Sequence, residues 1–183
     1  MISFILVGPN EGWKLTKCIE SVFATVKHNQ LKEYEVIYVD SQSIDDSIER
    51  AKAFSAIKIF QITGRANAAI ARNIGAKESK GDVLFFIDGD MEIQVDFLPI
   101  VYNEEDGLLF NFVSGNWVNY KYNGFWSLIS KSTSKKSTIP MICSTDSIEF
   151  TTGRTINGGR SEVEIILLKN FLTGASPERR RSG

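Results

Sequence analysis

Short apolar runs alternate with amphipathic helical patterns through the first half of the chain, and this alternation limits the possible folds more than any other feature. The runs are 2–7, 34–39, 57–62 and 83–87. Each has the length of a buried strand and is closed by turn-forming residues. Between them, apolar residues recur at the spacing of a helix that buries one face. This order predicts an α/β fold with right-handed crossovers, a mainly parallel sheet and helices on both faces.

The pattern weakens after about residue 96. A short helix is predicted over 97–102, and one or two strands over 108–118. A loop with a short amphipathic helix is predicted over 119–136, where aromatic residues mix with lysines and serines. The apolar residues that follow Ser161 fit either a helix or a strand, because short apolar runs do not separate the two.

The composition excludes several classes of protein. A net charge of -1 provides no broad basic field, so no nucleic-acid partner is predicted. No stretch approaches the roughly 20 apolar residues that cross a bilayer, so no transmembrane segment is predicted. Cys18 and Cys143 are the two cysteines, and they form neither a disulfide framework nor metal-ligand spacing. A reducing, cytoplasmic compartment is the prediction that fits this usage.

Two aspartates follow the apolar run 83–87 as Asp88-Gly89-Asp90. In an open α/β sheet, ligands bind beyond the carboxyl ends of the strands. Two carboxylates there, with a glycine that lets the backbone turn, suit a hard divalent cation such as Mg²⁺ or Mn²⁺ and the phosphates that it neutralises. Asp-Gly after a strand is also a common turn, so the motif alone leaves both interpretations open.

Polar segments also follow the three other apolar runs. They are Gly8-Pro9-Asn10-Glu11, Asp40-Ser41-Gln42-Ser43, and 64–67, the last of which leads into Ala71-Arg72-Asn73. A doubly wound sheet would bring all of them to the rim that holds the two aspartates. Acidic and amide groups there could receive a base and a ribose, and a cation could receive phosphate. A plain helix cap remains the alternative role for Asp40.

In this order and spacing, the segments resemble the nucleotide-binding half of a family 2 glycosyltransferase with the GT-A fold. The resemblance covers residues 2 to about 100. It rests on Asn10-Glu11-Gly12, a Val-Asp-Ser-x-Ser-x-Asp segment, Ala-Arg-Asn-x-Gly, Gly81-Asp82 and the Asp-x-Asp motif. The resemblance implies a metal-dependent, inverting transfer of a sugar from a nucleotide-sugar donor, with a UDP-sugar favoured over a GDP-sugar.

The resemblance also implies roles for single residues toward the nucleoside. Asp40 matches the carboxylate that reads the uracil ring. Glu11, with the backbone near Pro9, matches the segment that contacts the nucleoside. Asn67 falls near a position that faces the base or the ribose.

Toward the phosphates, the resemblance implies that Asp88 and Asp90 hold Mn²⁺ or Mg²⁺ against the diphosphate. Asp90 is the direct ligand in this scheme, and Asp88 lies nearer the ribose or a bridging water. Arg72 has two open roles, since it could approach the phosphates or pair with a carboxylate of the fold.

A base for the acceptor hydroxyl is the part of the scheme that the sequence does not supply. The resemblance implies a carboxylate from an acidic pair well downstream of the metal motif. Glu162 and Glu164 follow Asn157-Gly158-Gly159, but their spacing matches that pattern poorly. They are the weak candidates, and the catalytic base stays unassigned.

We therefore expect one domain over 1–183. Its residues 1–100 form the nucleotide-sugar-binding half, 101–173 an incomplete acceptor-side half, and 174–183 a disordered tail. The acceptor, whether a saccharide, a lipid-linked sugar or a protein, is not defined by the sequence, and neither is a peripheral association with the inner membrane face. Two alternatives remain: a catalytically silent or partner-dependent nucleotide-sugar-binding module, and a phosphatase of the haloacid dehalogenase type with Asp88 as nucleophile.

Overall fold

The computed structural model describes residues 1–109 and, beyond them, the backbone of four strands. The helices are α1 (Trp13–His28), α2 (Ser47–Lys52), α3 (Ala68–Glu78) and α4 (Leu98–Val101). The strands within 1–109 are β1 (Ile2–Gly8), β2 (Tyr34–Asp40), β3 (Ile57–Gln61), β4 (Val83–Asp88), β5 (Tyr102–Asn103) and β6 (Gly107–Leu108). The later strands are β7 (Phe112–Ser114), β8 (Val118–Tyr122), β9 (Leu128–Thr133) and β10 (Ile166–Lys169).

A six-stranded sheet in the order β3-β2-β1-β4-β10-β7 forms the centre of the fold. Strands β1 to β4 pair with one another in parallel, and β10 is antiparallel to both β4 and β7. Gly8 at the end of β1 lies opposite Asp40 at the end of β2, and Val7 lies opposite Asp88 at the end of β4. The register therefore places the ends of these three strands side by side.

Helices cover both faces of the sheet. On β1, Phe4 and Leu6 pack into the core beneath α1 and α2, while Ile5 and Val7 pack into a second core beneath α3. This division follows from the alternation of side chains along a strand, since consecutive residues point to opposite faces. The predicted α/β architecture, with a mainly parallel sheet and helices on both sides, is confirmed.

Gly75 sets the distance between α3 and the sheet. A Cβ at this position would lie 2.3 Å from Cγ2 of Ile5, which is well inside van der Waals contact. The absence of a side chain lets the helix lie directly on β1 and β2. This close approach places Arg72, one turn earlier on α3, against the end of β4.

One prediction from the second half of the chain was wrong. Residues 119–136 were expected to form a loop with a short helix, but β8 and β9 in this region pair as an antiparallel hairpin. The segment after Ser161 takes the strand alternative at β10. Glu162, Glu164 and the tail at 174–183 lie outside the described residues. Within the described part of the chain, no helix has the length and apolar character needed to cross a membrane.

Candidate functional site

Loops after the four parallel strands lie on one rim of the sheet and are tied to one another. We name them loop 1 (9–12), loop 2 (41–46), loop 3 (62–67) and loop 4 (89–97). The amide of Gln42 in loop 2 donates to the carbonyl of Gly64 in loop 3. The backbone N–H of Gly89 donates to the carbonyl of Val7 at 2.8 Å. Hydrogen bonds thus join neighbouring parts of this rim, which is the edge of such a sheet where ligands bind.

Glu11 lies between the ends of β1 and β4. A Cβ at Gly8 would come within 2.9 Å of Glu11 Oε1, and a Cβ at Gly89 would come within 2.9 Å of Glu11 Cγ, so the two glycines make room for this side chain. Burial, together with the negative charge of Asp90, raises the pKa of Glu11 to about 7. Lys14 opposes this rise, because its Nζ is 3.9 Å from both Glu11 Oε2 and Asp90 Oδ2.

The raised pKa predicts how Glu11 affects folding. A carboxyl group with a higher pKa in the folded state binds its proton more tightly there, so its contribution to the free energy of unfolding falls as pH rises from about 5 to about 8. Glu11→Gln should therefore leave stability nearly unchanged at pH 5 and raise it by about 2 kcal/mol at pH 8. Urea unfolding at both pH values measures this, with Glu49→Gln on the exposed side of α2 as the matched control. An equal gain in the free energy of unfolding at both pH values would contradict the raised pKa of Glu11.

Asp88 is paired with Arg72. The Nη2 atom of Arg72 donates to Asp88 Oδ1 at 2.6 Å, and the two side chains are 7% and 21% exposed. Burial raises the pKa of Asp88, the guanidinium acts against this rise, and Asp90 adds to it. Of the two roles open to Arg72, the structure thus shows the pairing with a carboxylate. The Nε of Arg72 is buried and has no hydrogen-bond partner among the described residues.

Asp90 is the more open of the two aspartates, with 46% of its side chain exposed. A divalent cation fits the chemistry of this rim, because Asp88 and Asp90 place carboxylate oxygens beside Glu11 at the end of β4. The negative charge of Asp90 is, after burial, the largest cause of the raised pKa of Glu11. Within 1–109, no three His, Cys, Asp or Glu side chains are arranged to hold a metal ion by themselves. One or two carboxylates, with phosphates and waters completing the shell, are the usual ligands of Mg²⁺.

Asp40 points into the protein. Its side chain is 0% exposed. Oδ1 accepts a hydrogen bond from the hydroxyl of Tyr38 at 3.1 Å and another from the hydroxyl of Ser43. Oδ2 accepts from the backbone N–H groups of Gln42 and Ser43 at 3.1 and 3.0 Å. In this conformation Asp40 supports loop 2 from below and does not cap α2, whose N-cap is Asp46. Its contact with a uracil ring stays a prediction.

Asn67 and Pro9 complete the predicted set. Asn67 is the N-cap of α3, where its Oδ1 accepts a hydrogen bond from the N–H of Ile70 at 2.8 Å. Pro9 is exposed at the outer edge of loop 1. Both lie on the rim, and their contacts with a base or ribose stay predictions.

Sequence reasoning missed two features of the rim. Lys14 stands three residues after Glu11 on the first turn of α1, a spacing that brings side chains together on a helix and could have revealed the ion pair. The hydrogen bonds of Asn10 to loop 2 were missed as well, because no spacing in the sequence predicts contact between residues of different loops.

An open α/β sheet with aspartates, a buried arginine and a half-exposed lysine at its carboxyl-end rim belongs to the doubly wound folds, whose ligands bind at that rim. The family model described as Glycosyl transferase family 2 matches residues 3–165 of this chain. The chain therefore belongs to family 2 of the glycosyltransferases, and the expectation of a GT-A-like fold is confirmed.

Curated relatives cover part of the chain. It is 27% identical over 124 residues to glycosyltransferase GlyG of Streptococcus pneumoniae, and 30% identical over 125 residues to glycosyltransferase AglE of Haloferax volcanii. Each match covers 66% of this chain and 40% of the relative, so the chain matches well under half the length of either protein. Among solved structures, residues 1–349 of S. aureus TarS in complex with UDP-GlcNAc align with a TM-score of 0.48 and 23% identity, over 54% of this chain and 29% of that one.

Proposed function

We propose that the chain is the donor-binding part of a metal-dependent glycosyltransferase that takes a sugar from a nucleotide-sugar, with a UDP-sugar favoured. The arrangement of Asp88 and Asp90 at the end of β4 carries this proposal, because both lie on the rim beside Glu11 where the sheet ends. The family and the names of its glycosyltransferase relatives support sugar transfer as the reaction class.

Breaking the bond between the sugar and the phosphate leaves a nucleoside diphosphate with growing negative charge. A divalent cation, when bound, supplies the positive charge that stabilises this leaving group. Asp90 would hold the cation, since its carboxylate is the most exposed of the three acids at the rim. Arg72 keeps Asp88 in one orientation through their ion pair, so the second carboxylate of the motif is fixed before the donor arrives.

The nucleoside half of the donor would lie across loops 1 to 3. Pro9, Glu11 and Asn67 border this surface, and Asp40 supports it from beneath through its bonds to loop 2. Inversion at the sugar requires a base near the acceptor hydroxyl. The candidates Glu162 and Glu164 lie outside the described residues, so the proposal assigns no base and no acceptor.

A nucleotide-sugar-binding module without transfer activity of its own is the second candidate. Its binding residues are those of the first candidate, because Glu11, Asp88 and Asp90 on the rim would receive a nucleotide-sugar whether or not its sugar is transferred. A phosphatase with Asp88 as nucleophile fits less well, because Asp88 Oδ1 is held by Arg72 at 2.6 Å and the chain belongs to a transferase family.

Titration of the purified chain with UDP, with Mn²⁺ and then with EDTA in its place, tests the proposal. We expect UDP to bind in the micromolar range with Mn²⁺ and at least tenfold more weakly with EDTA, roughly the effect of losing one charge-assisted contact. Donor hydrolysis measured on the same sample separates the two candidates, since binding without turnover identifies the module. GDP is titrated in the same two buffers. If neither UDP nor GDP binds in either buffer, the proposal is overturned.

A further inference from the structure

Asn10 and Ser43 join loop 1 to loop 2. The side-chain Oδ1 of Asn10 accepts a hydrogen bond from the backbone N–H of Ile44 at 2.8 Å. The backbone N–H of Asn10 donates to the hydroxyl of Ser43 at 2.9 Å. Asn10 has a φ of 57°, a left-handed conformation that asparagine tolerates better than most residues. We name this pair of hydrogen bonds the loop latch.

The latch continues inward to a buried charge. The hydroxyl of Ser43 donates to Oδ1 of Asp40, whose side chain has no exposed surface. Ser43 therefore connects an exposed asparagine on the rim to a buried carboxylate at the end of β2. Charge-assisted hydrogen bonds of this kind are stronger than neutral ones, so loop 2 is held at a fixed point on its inner side.

On the outer side of the latch lies Ile44, a hydrophobic residue that is almost fully exposed. Ile44 is 94% exposed, the highest value among the exposed large hydrophobic residues in the described part of the chain. Its backbone is fixed by Asn10, while its side chain projects from the rim. Water competes for an exposed hydrogen bond and lowers its net contribution to folding. A latch at the surface of a binding rim contributes more to preorganisation, because an ordered loop loses less entropy when a ligand binds.

We propose that the latch of Asn10 and Ser43 positions loop 2 to receive the nucleoside half of the donor. The two residues are positioning residues, since they act by fixing loop 2 rather than by reacting. The inference rests on the proposed nucleotide-sugar function. It adds to that function the pair of residues that sets donor affinity without taking part in metal binding or chemistry.

Four variants test the latch by titration with UDP and Mn²⁺. Asn10→Gly keeps the left-handed backbone and removes the acceptor, and Ser43→Ala removes the bridging hydroxyl. Ser43→Thr keeps that hydroxyl as the conservative rescue. Gln30→Gly is the matched control, because Gln30 also has a positive φ, of 51°, in the connection before β2 at the opposite edge of the sheet.

We expect Asn10→Gly and Ser43→Ala to weaken UDP binding by about threefold to tenfold, the range for one lost hydrogen bond. Ser43→Thr and Gln30→Gly should stay within about twofold of the unaltered chain in UDP affinity. The urea midpoints of Asn10→Gly, Ser43→Thr and Gln30→Gly should change little. Ser43→Ala should lower the urea midpoint as well, because it removes a donor to the buried carboxylate of Asp40. If Asn10→Gly and Ser43→Ala both bind UDP as tightly as the unaltered chain, the inference is overturned. It is also overturned by a loss of affinity that is matched by an equal loss in Gln30→Gly or in Ser43→Thr.

Hydrogen exchange at the Ile44 amide, measured without nucleotide, separates this inference from the proposed function. In Asn10→Gly the backbone N–H of Ile44 should exchange its hydrogen faster, because its acceptor, the Asn10 side chain, is gone. Faster exchange in a chain that does not bind UDP would mean that the latch exists and the proposed function is wrong. Unchanged exchange in Asn10→Gly would overturn the latch itself, whatever the chain binds.

Discussion

Asp90→Asn should remove the Mn²⁺-dependent part of UDP binding, a loss of at least about tenfold in affinity, equal to the loss in EDTA. The two other acids of the rim are poorly placed to substitute. Asp88 Oδ1 is engaged by Arg72 at 2.6 Å, and the pKa of Glu11 is raised to about 7, so a large share of Glu11 is protonated at neutral pH. Asp90 is left as the carboxylate of the three that is most open to solvent.

Isothermal titration with UDP in Mn²⁺ and in EDTA measures this loss. Asparagine keeps the shape of the side chain and removes the charge, so folding should be unaffected. Glu92→Gln provides the matched control, because it removes an exposed carboxylate two residues further along loop 4. If Asp90→Asn bound UDP as tightly as the unaltered chain and with the same dependence on Mn²⁺, the rim would not be a metal-assisted donor site.

The parallel half of the sheet could be predicted because its signal is local. A strand buried on both faces reads as a continuous apolar run, and 83–87 is such a run. The hairpin of β8 and β9 could not be predicted in the same way. Apolar and polar residues alternate along β8, which is a strand signal, but β9 has no such period. The pairing of the two strands also depends on contacts between segments that the sequence does not order.

The positions of the site residues could be predicted, but the directions of their side chains could not. Strand order places Asp40 and Asp88 at one edge, which follows from the alternation of strands and helices. Whether a carboxylate at that edge faces solvent or the protein depends on which donors surround it. Tyr38 and Ser43 donate hydrogen bonds that hold Asp40 inward, and Arg72 donates to one oxygen of Asp88. These contacts depend on packing in three dimensions, which the order of the elements does not give.

Arg72→Met should destabilise the fold by about 3 kcal/mol at neutral pH, since removing one partner of a buried ion pair leaves the other charge uncompensated. Methionine retains much of the apolar stem of arginine, so the loss reports mainly on the charge. Arg50→Met is the matched control. Arg50 also binds an aspartate, Asp46, at 2.7 Å, but on the exposed surface of α2, where water screens the pair and little change is expected.

The loss in Arg72→Met should depend on pH in a direction set by Asp88. Burial already raises the pKa of Asp88, and removing the guanidinium raises it further, because Arg72 is the group that opposes the rise. The folded variant then binds a proton that the unfolded chain releases, so the destabilisation is largest above this pKa and shrinks as the pH falls toward 4. Urea unfolding between about pH 4 and about pH 7 measures this slope. A loss that stayed constant over that range would mean that Arg72 stabilises the fold through packing, and that Asp88 does not need its partner to remain charged at the end of β4.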